Sequence, residues 1–226
     1  MKIFILVVST VILAAITSEP QECYVEELTM RGDNIIAIPR DSTQFHAQYG
    51  AIARAEADLQ RYANSLLYKS FDLLSLSIYY DNYIKNLIGF DHLFLNMSNT
   101  LWDSSMDTIK YITFRGGRMS FANADPEDLL SEVSAELYEL HSIARALDIQ
   151  KSVAKKAVAL HRDVATLRSE KHDAEVAYYL KENHIEAHRA VVRDLTGYVT
   201  DLSGLFSGKD SALSRYLYNV YLNAIY

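Results

Sequence analysis

Cysteine, proline and glycine are all scarce in this chain of 226 residues. The single cysteine excludes a small fold held together by internal disulfide bonds. Eight glycines and three prolines make up only 11 residues, which excludes a collagenous, disordered or loop-rich protein. Half of the residues are hydrophobic, and this is enough to build a substantial core in one domain or in two small ones.

Basic residues are also fewer than acidic ones. The chain carries 22 Lys and Arg against 29 Asp and Glu, which gives a formal net charge of −7. This sign is wrong for a generic nucleic-acid binder, because such proteins neutralise phosphates with clustered Lys and Arg. The sequence also contains no glycine-rich phosphate loop and no pattern typical of a nucleophilic triad. We therefore expect an acidic, mostly helical protein that binds no nucleic acid.

Long apolar runs are missing except at the start of the chain. Met1 and Lys2 form a short basic start, and residues 3–16 are almost wholly apolar. A run of about 14 residues is too short to span a bilayer as a helix. Its layout is that of a secretory signal peptide, so we predict that residues 1–18 are a signal and that the product is secreted without a membrane anchor. A buried N-terminal helix is the alternative.

The cysteine, Cys23, lies just beyond the predicted cleavage site, in a polar N-terminal extension that covers residues 19–49. An unpaired cysteine in an oxidising compartment calls for a partner, and this chain offers none. We therefore expect Cys23 to form an intermolecular disulfide. A free or cysteine-capped thiol is the alternative.

Four amphipathic segments follow, each about 30 residues long or roughly 45 Å of helix. Apolar residues recur on one face of each segment, mostly three, four or seven residues apart. The predicted stripes are Leu59, Tyr62, Leu66, Leu73, Leu76 and Tyr80; Phe90, Phe94, Met97, Leu101, Thr108 and Ile112; Leu140, Ala144, Leu147, Ala154, Val158 and Val164; and Leu180, Ala187, Val191, Tyr198 and Leu202. A short fifth segment runs from Ser211 to about Leu222.

The connections between these segments predict their topology. The first two segments are joined by a short link, residues 82–88, which suits antiparallel neighbours. The link from Gly116 to about Ser134 is long enough to run the length of a bundle, and it would make the third helix parallel to the second. We therefore predict an all-α protein in which residues 50–226 form a four-helix bundle with one long crossover and a short fifth C-terminal helix.

Three motifs resemble the ferritin family. Residues 74–81, LSLSIYYD, are similar to the end of the ferritin first helix, and residues 115–118, RGGR, to the signature that closes the second. Residues 146–151, ALDIQK, resemble the middle of the third helix. The resemblance extends from about Gly50 to Tyr221 and implies a ferritin-like bundle. With the predicted signal and Cys23, the chain is similar to a light-chain-like subunit of an insect-type secreted ferritin.

The resemblance implies a set of partners and a cargo. Such subunits assemble into a two-dozen-subunit shell with copies of themselves and with a heavy-type subunit that oxidises iron. The N-terminal cysteines can bridge the two types, which implies an interchain disulfide through Cys23. The cargo would be iron stored as a ferric mineral, with no catalytic cofactor on this chain.

The resemblance also implies which residues occupy the positions of the ferritin di-iron oxidation site. That site needs carboxylates from several helices and a Glu-x-x-His pair. The matching positions here are Leu66, Leu73, Leu101, Ser104, Gln150 and His188. Leucine and serine cannot replace these ligands, so we expect a non-catalytic subunit in which core packing replaces the site. The alternatives are a di-iron oxidase with atypical ligands and a secreted helical binding protein that forms no shell.

Other positions carry weaker expectations. Asp103 and Asp107, one turn apart, are candidates for weak iron binding, and an ordinary solvated face is the alternative. Tyr178 and Lys181, with Glu175 and Glu182 nearby, match the region of the ferritin three-fold channel. The residues that match the four-fold contact are Leu213, Tyr216 and Leu217. His184 and His188 have an i, i+4 spacing that can bind zinc, although solvated or packed histidines suit the sequence better.

Overall fold

The computed structural model describes residues 47–122, 125, 128, 138–207 and 211–226. The predicted signal peptide, most of the predicted extension and Cys23 lie outside these residues. The described part of the chain is helical and contains no β-strand. Its helices are α1 (Ile52–Asp81), α2 (Ile88–Phe114), α3 (Glu139–Ala165), α4 (Ala174–Leu180), α5 (Glu186–Phe206) and α6 (Ser211–Ile225). A π-helical turn, Lys181–Ile185, joins α4 to α5 without a break, so these three pieces form the fourth helix of the bundle.

The helices have the predicted topology with one long crossover. After α2, the chain returns along α1, because Gln60 and Asn64 donate hydrogen bonds to the carbonyl oxygens of Arg118 (2.6 Å) and Ser120 (3.0 Å). The third helix then begins beside the end of the first, where the Tyr80 hydroxyl lies 2.7 Å from the Ser142 hydroxyl. Helix α3 is therefore antiparallel to α1 and parallel to α2. The all-α, ferritin-like bundle is confirmed, and none of the described helices is long and apolar enough to cross a membrane.

The predicted apolar stripes are correct for α1 and α2 and partly wrong for α3 and for the fourth helix. Every stripe residue of the first two helices is buried. In α3, however, Val158 is 51% exposed, and the buried face is rotated towards Ile143, Ala157 and Leu160. In the fourth helix Ala187 is exposed, because the π-helical turn adds a residue and shifts the phase of the helix that follows. The buried positions there are Val176, Leu180, His184, His188, Leu195 and Leu202.

The crossover is held to the bundle by buried ion pairs. Asp128, on the crossover, is almost fully buried, and its carboxylate lies 2.6 Å from Nζ of Lys156 and 3.6 Å from Nζ of Lys69. Lys156 also donates to Asp125 (2.8 Å) and to the hydroxyl of Ser65 (2.9 Å). Two lysines from two helices thus meet the same aspartate, which joins the crossover to both α1 and α3.

The motif RGGR ends α2 with a tight turn. Gly116 has φ +78°, a left-handed conformation that favours glycine at the end of a helix. A Cβ atom at this position would lie 2.9 Å from the backbone nitrogen of Gln48, so the turn also allows the chain before α1 to pack against it. The Gln48 side chain donates to the Gly116 carbonyl oxygen at 2.9 Å. The last residues of the predicted extension are therefore in contact with the bundle.

Helix α6 packs across the beginning of α2 at a contact that requires glycine. Tyr218 and Leu222 are its buried residues, and the Tyr218 ring lies 6.1 Å from the Phe90 ring. The Gly89 amide donates to the side-chain oxygen of Asn219 at 2.8 Å. A Cβ atom on Gly89 would lie 2.0 Å from the backbone oxygen of Asn219, so no larger residue fits.

The substitution Gly89→Ala is expected to displace α6, because the added methyl group would collide with backbone atoms that cannot move independently. Hydrogen exchange of the α6 amides should become faster while exchange in α1 stays unchanged. The matched control is Gly197→Ala in α5, where no atom lies within 4 Å of the added Cβ. There we expect a gain in helix stability of up to about 1 kcal/mol. Unchanged exchange in α6 of the Gly89 variant would contradict this contact.

Candidate functional site

Three of the six positions that match the ferritin di-iron site are filled with core leucines. Leu66 and Leu73, on α1, are fully buried, and Leu101, on α2, is 1% exposed. All three belong to the main hydrophobic core. Leucine side chains have no lone pairs to offer a metal. The part of the matching site that is formed by α1 and α2 can therefore only contribute to core packing.

The other three positions, Ser104, Gln150 and His188, line a small cleft with Leu101. Gln150 and His188 come together across α3 and α5, with the amide oxygen of Gln150 3.3 Å from Nδ1 of His188. The Ser104 hydroxyl donates instead to the Thr100 carbonyl oxygen at 2.8 Å. Asp194 supplies the single carboxylate among the residues that line this cleft in the described part of the chain. The cleft therefore lacks the convergent carboxylates that a di-iron centre needs.

His188 and His184 belong to a buried polar cluster that the sequence did not reveal. The hydroxyl of Tyr62 lies 3.0 Å from Nε2 of His188. Nε2 of His184 lies 3.3 Å from the hydroxyl of Thr108 and 3.2 Å from that of Tyr179. Tyr62 and Thr108 were predicted as core residues because of their place on the stripes, and nothing in the spacing marked them as partners of the histidines. The i, i+4 histidine pair was the one available signal.

Burial controls the charge of both histidines. It lowers the pKa of His184 to about 4, with a smaller contribution from the nearby His188. It also lowers the pKa of His188 to about 4. Both rings are therefore neutral at physiological pH. They are packed histidines, one of the two alternatives to a zinc pair that the sequence favoured, with ring centres 6.4 Å apart.

These two histidines should make the protein unstable in acid. Their pKa is about 4 in the folded chain and 6.5 in the unfolded chain, so the unfolded state binds more protons between these values. Stability from this source is complete above about pH 6.5 and is lost as the pH falls towards 4, at about 1.4 kcal/mol per pH unit for each histidine. Urea unfolding at several pH values measures the slope. The control is His188→Gln, which does not titrate and should show a shallower slope; an equal slope would contradict the assignment.

The two aspartates predicted as weak iron ligands both lie on the surface of α2. Asp103 is exposed, and Asp107 forms an ion pair with Lys110 at 3.0 Å. Across the described residues, no group of three or more His, Cys, Asp or Glu side chains is arranged to hold a metal ion. Two aspartates without a third ligand, one of them paired with a lysine, offer at most a weak and open metal site.

The residues that match the three-fold channel region lie at the surface of the fourth helix. Tyr178 is exposed, and Nζ of Lys181 lies 3.4 Å from the Glu182 carboxylate. Glu175 turns away from them, since its carboxylate lies 2.9 Å from the guanidinium of Arg115. Two of the four side chains are thus paired with each other and a third is paired elsewhere.

The residues that match the four-fold contact share the outer face of α6. Leu213, Tyr216 and Leu217 are all more than half exposed in the single chain. The opposite face of α6 is the one that packs on the bundle through Tyr218 and Leu222. An apolar outer face on the last helix is typical of a surface that another subunit covers.

Comparisons with known proteins agree with this architecture. No protein-family model matches the chain. It is 33% identical to the ferritin light chain of Trichoplusia ni over 228 aligned residues, which cover 98% of both chains. It is 35% identical to the ferritin light chain of Drosophila melanogaster over 181 residues, covering 78% of this chain and 79% of that one.

A solved structure extends the comparison to three dimensions. The crystal structure of Trichoplusia ni secreted ferritin matches with a TM-score of 0.78 and 32% sequence identity. The match covers 90% of this chain and 99% of the other. The two Trichoplusia ni proteins are similar to this chain over nearly their full length, so the likeness concerns the whole bundle and not a shared motif. The chain therefore belongs to the ferritin family, and within it to the insect-type secreted ferritins.

Proposed function

We propose that this iron-storage ferritin subunit is the non-catalytic, light-chain-like component of a secreted shell. In this role it assembles with copies of itself and with a heavy-type subunit that carries the ferroxidase activity. The observation that carries the proposal is the leucine filling at Leu66, Leu73 and Leu101, where a di-iron centre would need carboxylates. A subunit with an apolar seam contributes stability and surface to the shell, while its partner oxidises iron.

The cargo in this proposal is iron held as a ferric mineral in the shell cavity. This chain binds no catalytic cofactor, because its cleft offers three amides, an imidazole, hydroxyls and one carboxylate but no pair of carboxylates. Asp103 and Asp107 give it at most a weak capacity to nucleate mineral. Iron entry would rely on channels lined by the partner, because Lys181 places a positive charge at the matching three-fold position.

The names of the relatives support this role more than the alternatives. Two of them are ferritin light chains, and the matching structure is a secreted ferritin. A di-iron oxidase with atypical ligands would need convergent carboxylates, and Asp194 is the single carboxylate that lines the described cleft. A secreted protein that forms no shell would leave the apolar outer face of α6, which matches the ferritin four-fold contact, without a neighbouring copy to cover it.

The test is to purify the full chain from its source and to measure its native mass, iron content and rate of ferrous iron oxidation. We expect an iron-bearing particle many times larger than one chain. We also expect the isolated chain, reassembled alone, to oxidise iron no faster than an iron-only blank. Saturable oxidation well above the blank would support the oxidase. A small particle without iron would support the binding protein.

The substitution Cys23→Ser tests the predicted interchain disulfide. We expect the substitution to abolish a covalent link to a heavy-type chain, because Cys23 is the only thiol in the sequence. The bundle should stay folded, since residue 23 lies outside the residues that build it. A non-reducing gel detects the link, and circular dichroism checks the fold. An unchanged gel pattern would refute the bridge.

A further inference from the structure

A line of hydrogen bonds crosses the bundle core from α1 to α3. The Tyr62 hydroxyl lies 3.0 Å from Nε2 of His188, and Nδ1 of the same ring lies 3.3 Å from the amide oxygen of Gln150. All three side chains are at least nine-tenths buried. Three helices therefore meet through one imidazole.

The partners of this imidazole determine the direction of its hydrogen bonds. An amide oxygen can only accept, so Nδ1 of His188 carries the proton and donates it to Gln150. A neutral imidazole has one N–H, so Nε2 must be the acceptor. The Tyr62 hydroxyl therefore donates to Nε2. A buried phenol with a basic nitrogen directly on its proton is the arrangement needed to lose an electron and a proton together.

The charge states agree with this direction. Burial raises the pKa of Tyr62 well above its ordinary value, so the phenol stays protonated until an electron leaves. Burial lowers the pKa of His188 to about 4, so the imidazole is neutral and can accept. Removal of one electron makes a phenol a far stronger acid than an imidazolium. The proton then moves along a hydrogen bond that already exists.

A row of aromatic rings connects Tyr62 to the edge of the bundle. The Tyr62 ring lies 5.2 Å from the His184 ring, which lies 5.3 Å from the Tyr179 ring. Tyr179 in turn stacks on Tyr111, with ring centres 3.9 Å apart and planes 2° from parallel. Tyr111 is only half-buried, and its hydroxyl accepts a hydrogen bond from Arg115 at 2.9 Å. Rings in such close succession allow an electron to move in short steps.

We propose that Tyr62 and His188 form a proton-coupled redox site that takes up the radical left when a hydroxyl radical oxidises the protein. The hydroxyl radical, a product of ferrous iron and hydrogen peroxide, removes a hydrogen atom from the Tyr111 phenol and becomes water. Tyr62 then gives one electron to the Tyr111 radical, and its O–H bond breaks as the proton passes to Nε2 of His188. The Tyr111 oxygen takes a proton from water and leaves hydroxide. The radical ends on Tyr62, beside an imidazolium.

This activity goes beyond the proposed subunit role and does not depend on it. A radical on a half-buried side chain can couple to other molecules, whereas a radical on a buried tyrosine beside an imidazolium is shielded from such reactions. The site therefore makes the chain a sink for radicals that iron and peroxide produce. It requires the Tyr62–His188–Gln150 line, which a shell without this function does not require.

The experiment is electron paramagnetic resonance of the full chain after mixing with ferrous iron and hydrogen peroxide and rapid freezing. The wild-type protein should give a long-lived tyrosyl radical, and Tyr62→Phe should lose the long-lived signal. The matched control is Tyr80→Phe. Tyr80 is equally buried, but its hydroxyl lies 2.7 Å from the hydroxyl of Ser142, and a serine hydroxyl is not a base. Loss of the Tyr80 hydroxyl should therefore leave the radical signal unchanged.

The role of His188 has its own readout. His188→Leu keeps the phenol and removes the base that takes its proton, so the radical should stay on Tyr111 and decay rapidly. The wild-type protein supplies a measurement that depends on no variant: after exchange into heavy water, the radical should show coupling to one deuteron held in a hydrogen bond to its oxygen. A wild-type radical without that coupling, or an unchanged signal in a folded Tyr62→Phe variant, would overturn the proposal.

Discussion

Replacing Leu66 by glutamate is expected to lower the free energy of unfolding by about 3–5 kcal/mol, the range found when an uncompensated charge is left inside a protein. Leu66 is fully buried in the core. The resemblance to ferritins matches it to a glutamate of the di-iron site. Two other matching positions, Leu73 and Leu101, are leucines that cannot offer a metal or a cation. The carboxylate would lose its hydration and gain no partner, and the packing of the leucine would be lost as well.

Urea unfolding at two pH values measures this effect. Burial favours the neutral form of a carboxyl group, so the loss of stability should be larger at pH 8 than at pH 5. The matched control is Ala57→Glu, on the exposed side of the same helix, where we expect a change of less than about 0.5 kcal/mol. Full stability of the Leu66 variant, together with new iron oxidation, would show that the seam is more open than the structure indicates.

Replacing Arg115 by alanine is expected to cost about 3–5 kcal/mol, because it breaks a buried ion pair and leaves its partner uncompensated. The guanidinium is 1% exposed and lies 3.1 Å from the Asp173 carboxylate. It also donates to the Tyr49 carbonyl oxygen at 3.0 Å and stacks on the Tyr49 ring. Asp173 in turn accepts hydrogen bonds from the amides of Glu175 and Val176 and so caps α4.

The variant should therefore weaken two junctions at once, the start of α4 and the contact of the chain before α1 with the bundle. Hydrogen exchange should become faster in both places, and thermal unfolding should shift down. The matched control is Lys110→Ala, which removes an ion pair with Asp107 that is open to solvent and should cost no more than about 1 kcal/mol. Equal costs for the two substitutions would mean that Arg115 contributes no more than a surface charge.

The fold could be predicted where local pattern and tertiary packing agree. On α1 and α2 the stripe residues, such as Leu59 and Phe94, are buried as predicted. These two helices pack along their full length, so the face with the clearest spacing is also the face that the partner covers. The long link after Gly116 likewise predicted the crossover, because the length of a connection limits where the next helix can begin.

The prediction was less successful where more than one helix face is apolar. Val158 and Ala187 suit an apolar stripe by spacing, yet both are exposed in the single chain. In a protein whose outer surfaces are expected to meet other subunits, spacing alone cannot separate an inner face from a contact face. The π-helical turn adds a change of phase that periodicity analysis, which assumes 3.6 residues per turn, cannot represent.

Only part of the candidate site could be predicted from the sequence. The leucines at positions 66, 73 and 101 could be assigned by motif, and their chemistry follows from the side chain alone. The contact of Tyr62 with His188 could not be assigned, because 126 residues separate them. Tyr62 is an ordinary stripe residue of α1, and His188 lies beside the stripe that spacing predicted for its helix. A hydrogen bond between distant positions depends on the rotation of each helix, and the rotation is set by packing.

The sequence by itself determined that this is an all-α chain with a crossover and that it resembles the ferritins, and it predicted leucine where a di-iron centre would need ligands. These properties are local, since they depend on composition, spacing and link length. Only the tertiary structure decided which faces of α3 and α5 are buried, that Arg115 joins the chain before α1 to the start of α4, and that a neutral histidine lies between Tyr62 and Gln150. These properties depend on the relative rotation of packed helices, which many residues determine together and no single motif records.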